Sequence, residues 1–296
     1  METKPIPIRL SYSTLEDFNR CERYFQLNKL LATDDTREES ADLSFGTAYG
    51  VGIAEYMLHQ NKDVALYKAW LAYWPEIETD KKNVWLMIHA LEASFPMADK
   101  LLMDYELLVI KDKPAMELSF RINLTPEYYY VGYIDFVMRN RWDGTCVVWD
   151  AKTTGLQLLD LSPLYQNSLQ GLGYSIALDA IVGEEQAHYA VGYFAAQLLK
   201  DAKVKVQPLV FKKTLLDRLN WLMTLGGDLS RLEQAAQLNF YPRRGSGCLK
   251  YNRPCKHFGV CQMSSLDIPR VREEDTTEYD FVFELDDLIA DHLRRV

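Results

Sequence analysis

No run of 18 apolar residues occurs in this chain of 296, so no segment reads as a helix able to cross a bilayer. Met1-Glu-Thr-Lys-Pro-Ile-Pro7 lacks the apolar stretch of a secretory signal, and the expectation is a soluble, cytoplasmic protein with no membrane partner. Cysteine is scarce. Cys21, Cys146, Cys248, Cys255 and Cys261 are odd in number and unevenly placed, which without a signal argues against a disulfide framework. An excess of positive charge is missing too: 33 Lys and Arg stand against 42 Asp and Glu, a net charge of −9. That balance disfavours a nonspecific DNA coat, whose affinity comes from many Lys/Arg–phosphate contacts. The acidity is local, however. Residues 264–296 hold ten acidic side chains against four Arg, which leaves only −3 on the rest and is compatible with an enzyme that grips a few nucleotides.

What is present is a 48% hydrophobic composition, enough to bury a substantial core in one large domain or two modest ones. Ser13-Thr-Leu-Glu16 has capping-box spacing and predicts a helix to about Leu31. The charged segment 33–40 predicts a loop, followed by helices over roughly 46–60, 63–75 and 81–106 with breaks at Pro75 and Asp80-Lys81-Lys82. The pattern then turns to alternating and β-branched sequence, predicting strands over 115–124, 128–138 and 146–152. Ser162-Pro163 opens a helix to about Ile181, strands follow over 187–198 and 204–211, and 215–238 is helical. Helix, three strands, helix, strand is the order of an α/β layered domain with extra helices, and no internal repeat interrupts it.

The chemistry concentrates in two strand-like segments, Gly132-Tyr-Ile-Asp135 and Asp150-Ala-Lys152. Two carboxylates and a lysine are what metal-dependent phosphodiester hydrolysis requires. The carboxylates hold a hard cation such as Mg²⁺ or Mn²⁺, and the lysine orients or helps deprotonate the attacking water. A lone Asp-x-Lys ordinarily means solvent-facing charge. Here it follows Cys146-Val-Val-Trp149 in a strand that reads as buried, where unpaired charge is costly. Trp142-Asp-Gly-Thr145 between the segments is a hairpin signal. With Asp143-Gly144 as a two-residue loop, Asp135 faces Lys152 and Asp150 faces Val137, and the side-chain period of two places all of them on one face.

Taken in order, these motifs resemble the PD-(D/E)XK nuclease superfamily. Within it they resemble the RecB-like iron–sulfur branch, which includes the AddB nuclease domain, CRISPR-associated four-cysteine exonucleases and phage exonucleases. The likeness runs from about residue 8 to residue 263. It implies an α/β, restriction-endonuclease-like core, a central mixed β-sheet flanked by helices, with extra N-terminal and C-terminal helices and a cysteine-ligated cluster. It adds Glu117, in the strand before the hairpin, as a third carboxylate that binds metal directly or through water. Gln170-Gly-Leu-Gly-Tyr174 matches the family's Gln-x-x-x-Tyr motif. Four residues apart, Gln170 and Tyr174 share a helix face, and the resemblance has them hold DNA or order the catalytic groups. One position departs: relatives carry a metal-binding His four residues after a glycine in an early helix, whereas Gly46-Thr-Ala-Tyr-Gly50 places Gly50 there.

The resemblance also implies that Cys21, Cys248, Cys255 and Cys261 ligate a [4Fe-4S] cluster clasping the ends of a domain over residues 1–263. A zinc site on Cys248, Cys255, His257 and Cys261 is the alternative, and buried unligated thiols the plainer one. Cys146 reads as core. Residues 264–296 form an acidic tail that packs on the domain, mimics DNA charge or binds a protein partner. The basic segment Arg243-Arg244, Lys250, Arg253, Lys256 either tracks phosphate or is a solvated loop. The expected activity is a metal-dependent DNA exonuclease preferring single-stranded ends, in phage or bacterial recombination, repair or replication. Its alternatives are a CRISPR adaptation exonuclease and a non-catalytic DNA- or partner-binding module that keeps the fold.

Overall fold

The computed structural model describes residues 6–32, 41–74, 79, 82–184, 186–250, 253–263 and 267–296. The expected loop at 33–40 and the breaks at Pro75, Asp80 and Lys81 lie outside them. In chain order the elements are β1 (Ile8–Leu10), α1 (Tyr12–Arg20), α2 (Glu22–Phe25), a π-helical turn (Gln26–Leu30), α3 (Ala41–His59), α4 (Lys62–Ala72) and α5 (Val84–Asp104). Then come β2 (Tyr105–Leu107), a ribbon of β3 (Val109–Ile110) and β4 (Lys113–Pro114), β5 (Met116–Thr125), β6 (Tyr128–Asn140) and β7 (Cys146–Thr154). The chain continues with α6 (Ser162–Gln166), α7 (Leu169–Val182), β8 (Ala187–Leu198), β9 (Val204–Lys212), α8 (Leu215–Gln237), β10 (Leu249–Lys250), β11 (Arg253–Pro254), β12 (Phe281–Glu284) and α9 (Leu285–Arg295). None of the described helices is long and apolar enough to cross a membrane.

The first helix corrects the capping expectation. Ser11, not Ser13, is the N-cap: its hydroxyl accepts from Thr14 N–H at 3.4 Å, while the Thr14 hydroxyl accepts from Ser11 N–H at 2.6 Å. A threonine at the third helical position completes the box as well as a glutamate does, so the pattern one step earlier wins. The helix also does not run unbroken to Leu31. It stops at Cys21, whose backbone is extended (φ −164°), and restarts as α2.

The chain divides into two compact units. One comprises Glu38–Ser119 and Tyr133–Arg218, with Val296; the other comprises Met1–Arg37, Phe120–Gly132 and Leu219–Arg295. The first is built on a mixed sheet in which β6 and β7 are antiparallel, β7 and β8 parallel, and β8 and β9 antiparallel. The parallel pair requires a crossover, which α6 and α7 supply. On one face Phe136, Met138, Val147, Trp149, Phe194 and Ala196 join Tyr49, Ile53, Leu91 and Phe95 of α3 and α5 in one buried cluster. Gly192 is required there, because a Cβ would sit 2.5 Å from the Trp149 ring on the neighbouring strand. Farther along, the buried ion pair Arg218–Asp179 (2.9 Å) fixes the start of α8 to α7. This is the α/β core that the strand–helix order predicted, a central mixed sheet flanked by helices.

The second unit pairs β1 with β6 in parallel (Ile8 with Tyr128) and β12 with β5 in parallel (Phe281 with Phe120). Phe18, Phe25, Tyr128, Leu229, Leu232 and Tyr241 form its core. The acidic C-terminal stretch therefore contributes an edge strand and the amphipathic helix α9. The buried guanidinium of Arg23 holds Asp267 through two charge-assisted bonds of 2.6 and 2.8 Å.

Candidate functional site

The hairpin register differs from the two-residue-loop expectation. Phe136 pairs with Trp149 and Arg139 with Cys146, and Asn140 N–H donates to Thr145 O across a longer turn. Continued by one step, this register sets Asp135 beside Asp150 rather than opposite Lys152. The Asn140 side chain causes the change, accepting from Trp142 N–H at 2.8 Å so that the turn opens at 140 instead of 142. The slip is two residues, an even number, so every side chain stays on its expected face. Asp135, Asp150 and Lys152 do converge.

Asp135 Oδ2 accepts the Ala151 N–H at 2.9 Å, which locks it to the neighbouring strand. Lys152 Nζ lies 2.9 Å from Asp150 Oδ2. Asp150 is only 1% exposed, and the Lys152 ammonium is the cation set against its buried carboxylate. Burial and the adjacent Asp150 charge hold the Asp135 carboxyl well above the usual carboxylate range. Desolvation and the same charge raise Glu117. For Lys152 burial works against the ammonium, but Asp150 and Asp135 more than offset it and the net shift is upward. The cluster is therefore short of positive charge, and among the described residues Lys152 supplies the cation set against it.

A cleft of about 430 Å³ opens over these groups, walled by Leu43, Gly46, Thr47 and Gly50 of α3 and by Glu117, Asp135 and Lys152 of the sheet. Glu117 has a left-handed backbone (φ +49°), a strained conformation for a non-glycine residue of the kind that gathers at functional sites. Gln170 and Tyr174 share a face of α7 as their spacing required, and the Gln170 amide donates to the Tyr174 hydroxyl at 2.8 Å.

Several supporting residues had no distinctive pattern in the sequence. Tyr193 is in register with Asp150 on the next strand, and its ring stacks on Tyr165 at 4.2 Å, 9° from parallel. The fully buried Lys213 ammonium donates to the Tyr165 carbonyl at 2.7 Å, and burial pulls its pKa down to about 8. Gly171 leaves room for the Tyr193 hydroxyl against α7. These contacts depend on the β7–β8 pairing and on where α6 ends, neither of which local sequence encodes.

In the other unit, Cys21, Cys248, Cys255 and Cys261 line a single cavity of about 250 Å³ together with His257 and Tyr24. Cys21 Sγ accepts the Arg244 N–H at 3.4 Å, and a Cβ on Gly247 would come within 2.9 Å of the Cys21 Cβ. Cys146 is buried in β7, as core. Among the described residues, no three His, Cys, Asp or Glu side chains close on one point tightly enough to hold a metal ion, in either unit. The donor sets still differ in kind: carboxylate oxygens at the cleft and on its neighbouring strand, sulfur in the cavity.

No curated protein matches the chain. Among solved structures, it is similar to a Eubacterium rectale protein described as a candidate exonuclease, at 14% identity and TM-score 0.48 over 91% of each chain. It is also similar to SSO0001, at 14% identity and TM-score 0.26 over 68% of this chain and 79% of that one. Neither likeness is close enough to carry an argument. Residues 9–262 match the profile of one superfamily, a span that contains the hairpin carboxylates, the lysine and strands β5 to β9. By that match, this chain belongs to the PD-(D/E)XK nuclease superfamily.

Proposed function

We propose that the protein is a divalent-metal-dependent deoxyribonuclease that acts as an exonuclease on DNA ends, single-stranded in preference to duplex. The observation that carries this reading is the Asp135–Asp150–Lys152 constellation on adjacent strands beneath an open cleft. Buried Asp150, and Asp135, whose anionic form burial disfavours in the absence of a cation, are the groups that would hold Mg²⁺ or Mn²⁺, with Glu117 assisting. A bound cation would polarise the scissile phosphate and acidify a bound water. Lys152 positions that water and balances the carboxylate charge. Gln170 and Tyr174, tied to each other, orient the strand or the lysine. A cleft of about 430 Å³ is at the small end of ligand sites and suits a nucleotide or two of a single strand better than a duplex.

The second part of the proposal is that the four cysteines around one cavity hold a [4Fe-4S] cluster, with zinc on Cys248, Cys255, Cys261 and His257 as the alternative. The setting is recombination, repair or replication in a bacterium or its phage, and spacer trimming in CRISPR adaptation is the second candidate. The acidic C-terminal stretch is a candidate surface for a protein partner.

The test is to incubate anaerobically purified protein with Mn²⁺ or Mg²⁺ and end-labelled single- and double-stranded DNA, beside Lys152→Ala. Metal-dependent shortening from one end, lost in the variant, supports the reading. Protein that binds DNA but never cuts it would sink the enzyme and leave the binding module.

A further inference from the structure

α3 carries three glycines within seven residues, and their surroundings separate them into two kinds. Gly52 faces the core. A Cβ there would lie 2.6 Å from both Leu91 methyls and 3.1 Å from the Ala69 Cβ, so the close packing of α3 on α4 and α5 requires glycine. Gly46 and Gly50 are different. Among the described residues a Cβ built on either meets no atom within 4 Å, and both lie inside a continuous helix of 19 residues, Ala41–His59, where neither has a positive φ. Glycine is the poorest helix former after proline, so packing and backbone conformation both favour alanine at these two positions.

The positions they occupy are not random. Leu43, Gly46, Thr47, Gly50 and Val51 follow the i, i+3, i+4, i+7, i+8 spacing of one helix face, and that face forms a wall of the carboxylate cleft. Opposite stand Glu117, Asp135 and Lys152, the last ion-paired with Asp150 at 2.9 Å. The empty volume over Gly46 and Gly50 therefore opens directly onto the groups proposed to do the chemistry.

We propose that Gly46 and Gly50 are specificity-determining residues: they leave two positions of the α3 wall without side chains, between Leu43, Thr47 and Val51, so that a nucleotide flanking the scissile phosphate lies directly against the helix backbone there. This rests on the nuclease reading of the same cleft. The occupant is one nucleotide of a single nucleic-acid strand, its sugar and base edge against the glycine face and its phosphate toward Lys152 and the carboxylates. The two glycines are a steric gate. Among the described residues no contact requires glycine at either position, and the substrate is what offsets their cost to helix stability.

The experiment compares Gly46→Ala, Gly50→Ala and Gly50→Leu with the native chain, and with Gly52→Ala as the packing control. Three quantities are read: melting temperature, cleavage of end-labelled oligothymidylate with Mn²⁺, and affinity for fluorescein-labelled oligothymidylate by anisotropy in the Lys152→Ala background. The gate predicts that Gly46→Ala and Gly50→Ala raise the melting temperature by about 2 °C each, because helix propensity improves at no steric cost. Strand affinity and kcat/KM fall in the order Ala, then Leu, with Gly50→Leu losing about tenfold or more from overpacking against the ligand. Gly52→Ala lowers stability instead. Full activity and affinity in Gly50→Leu would overturn the gate while leaving the nuclease intact. So would a loss of stability in the alanine variants, since the fold would then be what needs the glycines. A native protein that neither binds nor cuts DNA would overturn both readings together.

Discussion

The carboxylate cleft and the cysteine cavity are both candidate metal centres, yet they are assembled in opposite ways. In the cleft, Asp135, Asp150 and Lys152 come from one hairpin, and their proximity follows from strand pairing and the side-chain period of two. The backbone holds them in place before any ion arrives, and the strain of that arrangement shows in the raised Asp135 and Glu117 carboxyls. The cysteine cavity joins Cys21, at the break between two short helices, to three thiols more than 200 residues later in segments with little regular structure. The Cys21 and Cys248 thiols make long bonds to the backbone of Pro242 and Arg244, 3.4 to 4.0 Å, so a bound metal there would add to stability what these contacts do not supply. As candidate metal centres, one is preorganised by its strands at an energetic cost, whereas the other would leave the ordering to an ion.

The sharpest break in that comparison is chemical. Lys152→Ala or Asp150→Asn should reduce Mn²⁺-dependent cleavage of labelled DNA by about 10³-fold while far-UV circular dichroism stays native. Activity within a few-fold of the native chain would remove the cleft from consideration.

Next in size is the cavity. Iron, sulfide and zinc analysis of anaerobically purified protein should find about four irons per chain, or one zinc, lost in Cys21→Ser and Cys255→Ser for the cluster and in Cys255→Ser alone for zinc. Cys146→Ser should change neither. Metal-free native protein with unaltered melting would show the cavity to be plain packing.

A smaller effect separates a preorganised site from a metal-ordered one. The Asp135 carboxyl is raised in the fold, so the folded state binds its proton more tightly than the unfolded chain does. Stability of the metal-free protein from this group is therefore highest below the ordinary carboxylate range and falls as pH rises through the elevated folded value. Asp135→Asn removes the penalty and should raise the metal-free melting temperature by a few degrees at neutral pH and by less at pH 5. Added Mn²⁺ should stabilise the native chain most at high pH. A melting curve for Asp135→Asn that is lower than native at neutral pH would show that the carboxylate is not strained.

The smallest effect tests the helix that presents Cys21. Ser11→Ala should cost about 1 kcal/mol in denaturant unfolding, and Ser13→Ala much less, because Ser11 alone caps α1. Equal losses would return the cap to the 13–16 pattern.

Much of the cleft was legible because hairpin chemistry is local. Alternation, Asp-Gly and the buried run before Asp150 were enough to put three functional groups on one face, and an error of two residues in register left that conclusion standing. The π-helical turn at 26–30, strand β1 and the pairing of Phe281–Glu284 with β5 left no comparable trace. Three- and four-residue strands carry too little pattern to be read without their partners.

By itself the sequence determined the strand and helix order, the convergence of Asp135, Asp150 and Lys152, and the spacing of Gln170 and Tyr174, since all of these depend on periods of two or of about four residues along a continuous segment. Only the tertiary structure decided that Tyr193 stacks on Tyr165 in register with Asp150, that four distant cysteines share a cavity, and that of three glycines in α3 one serves the core and two face the cleft. The physical reason is distance along the chain: each of those facts depends on which surface a segment meets, and that is set by elements tens to hundreds of residues away.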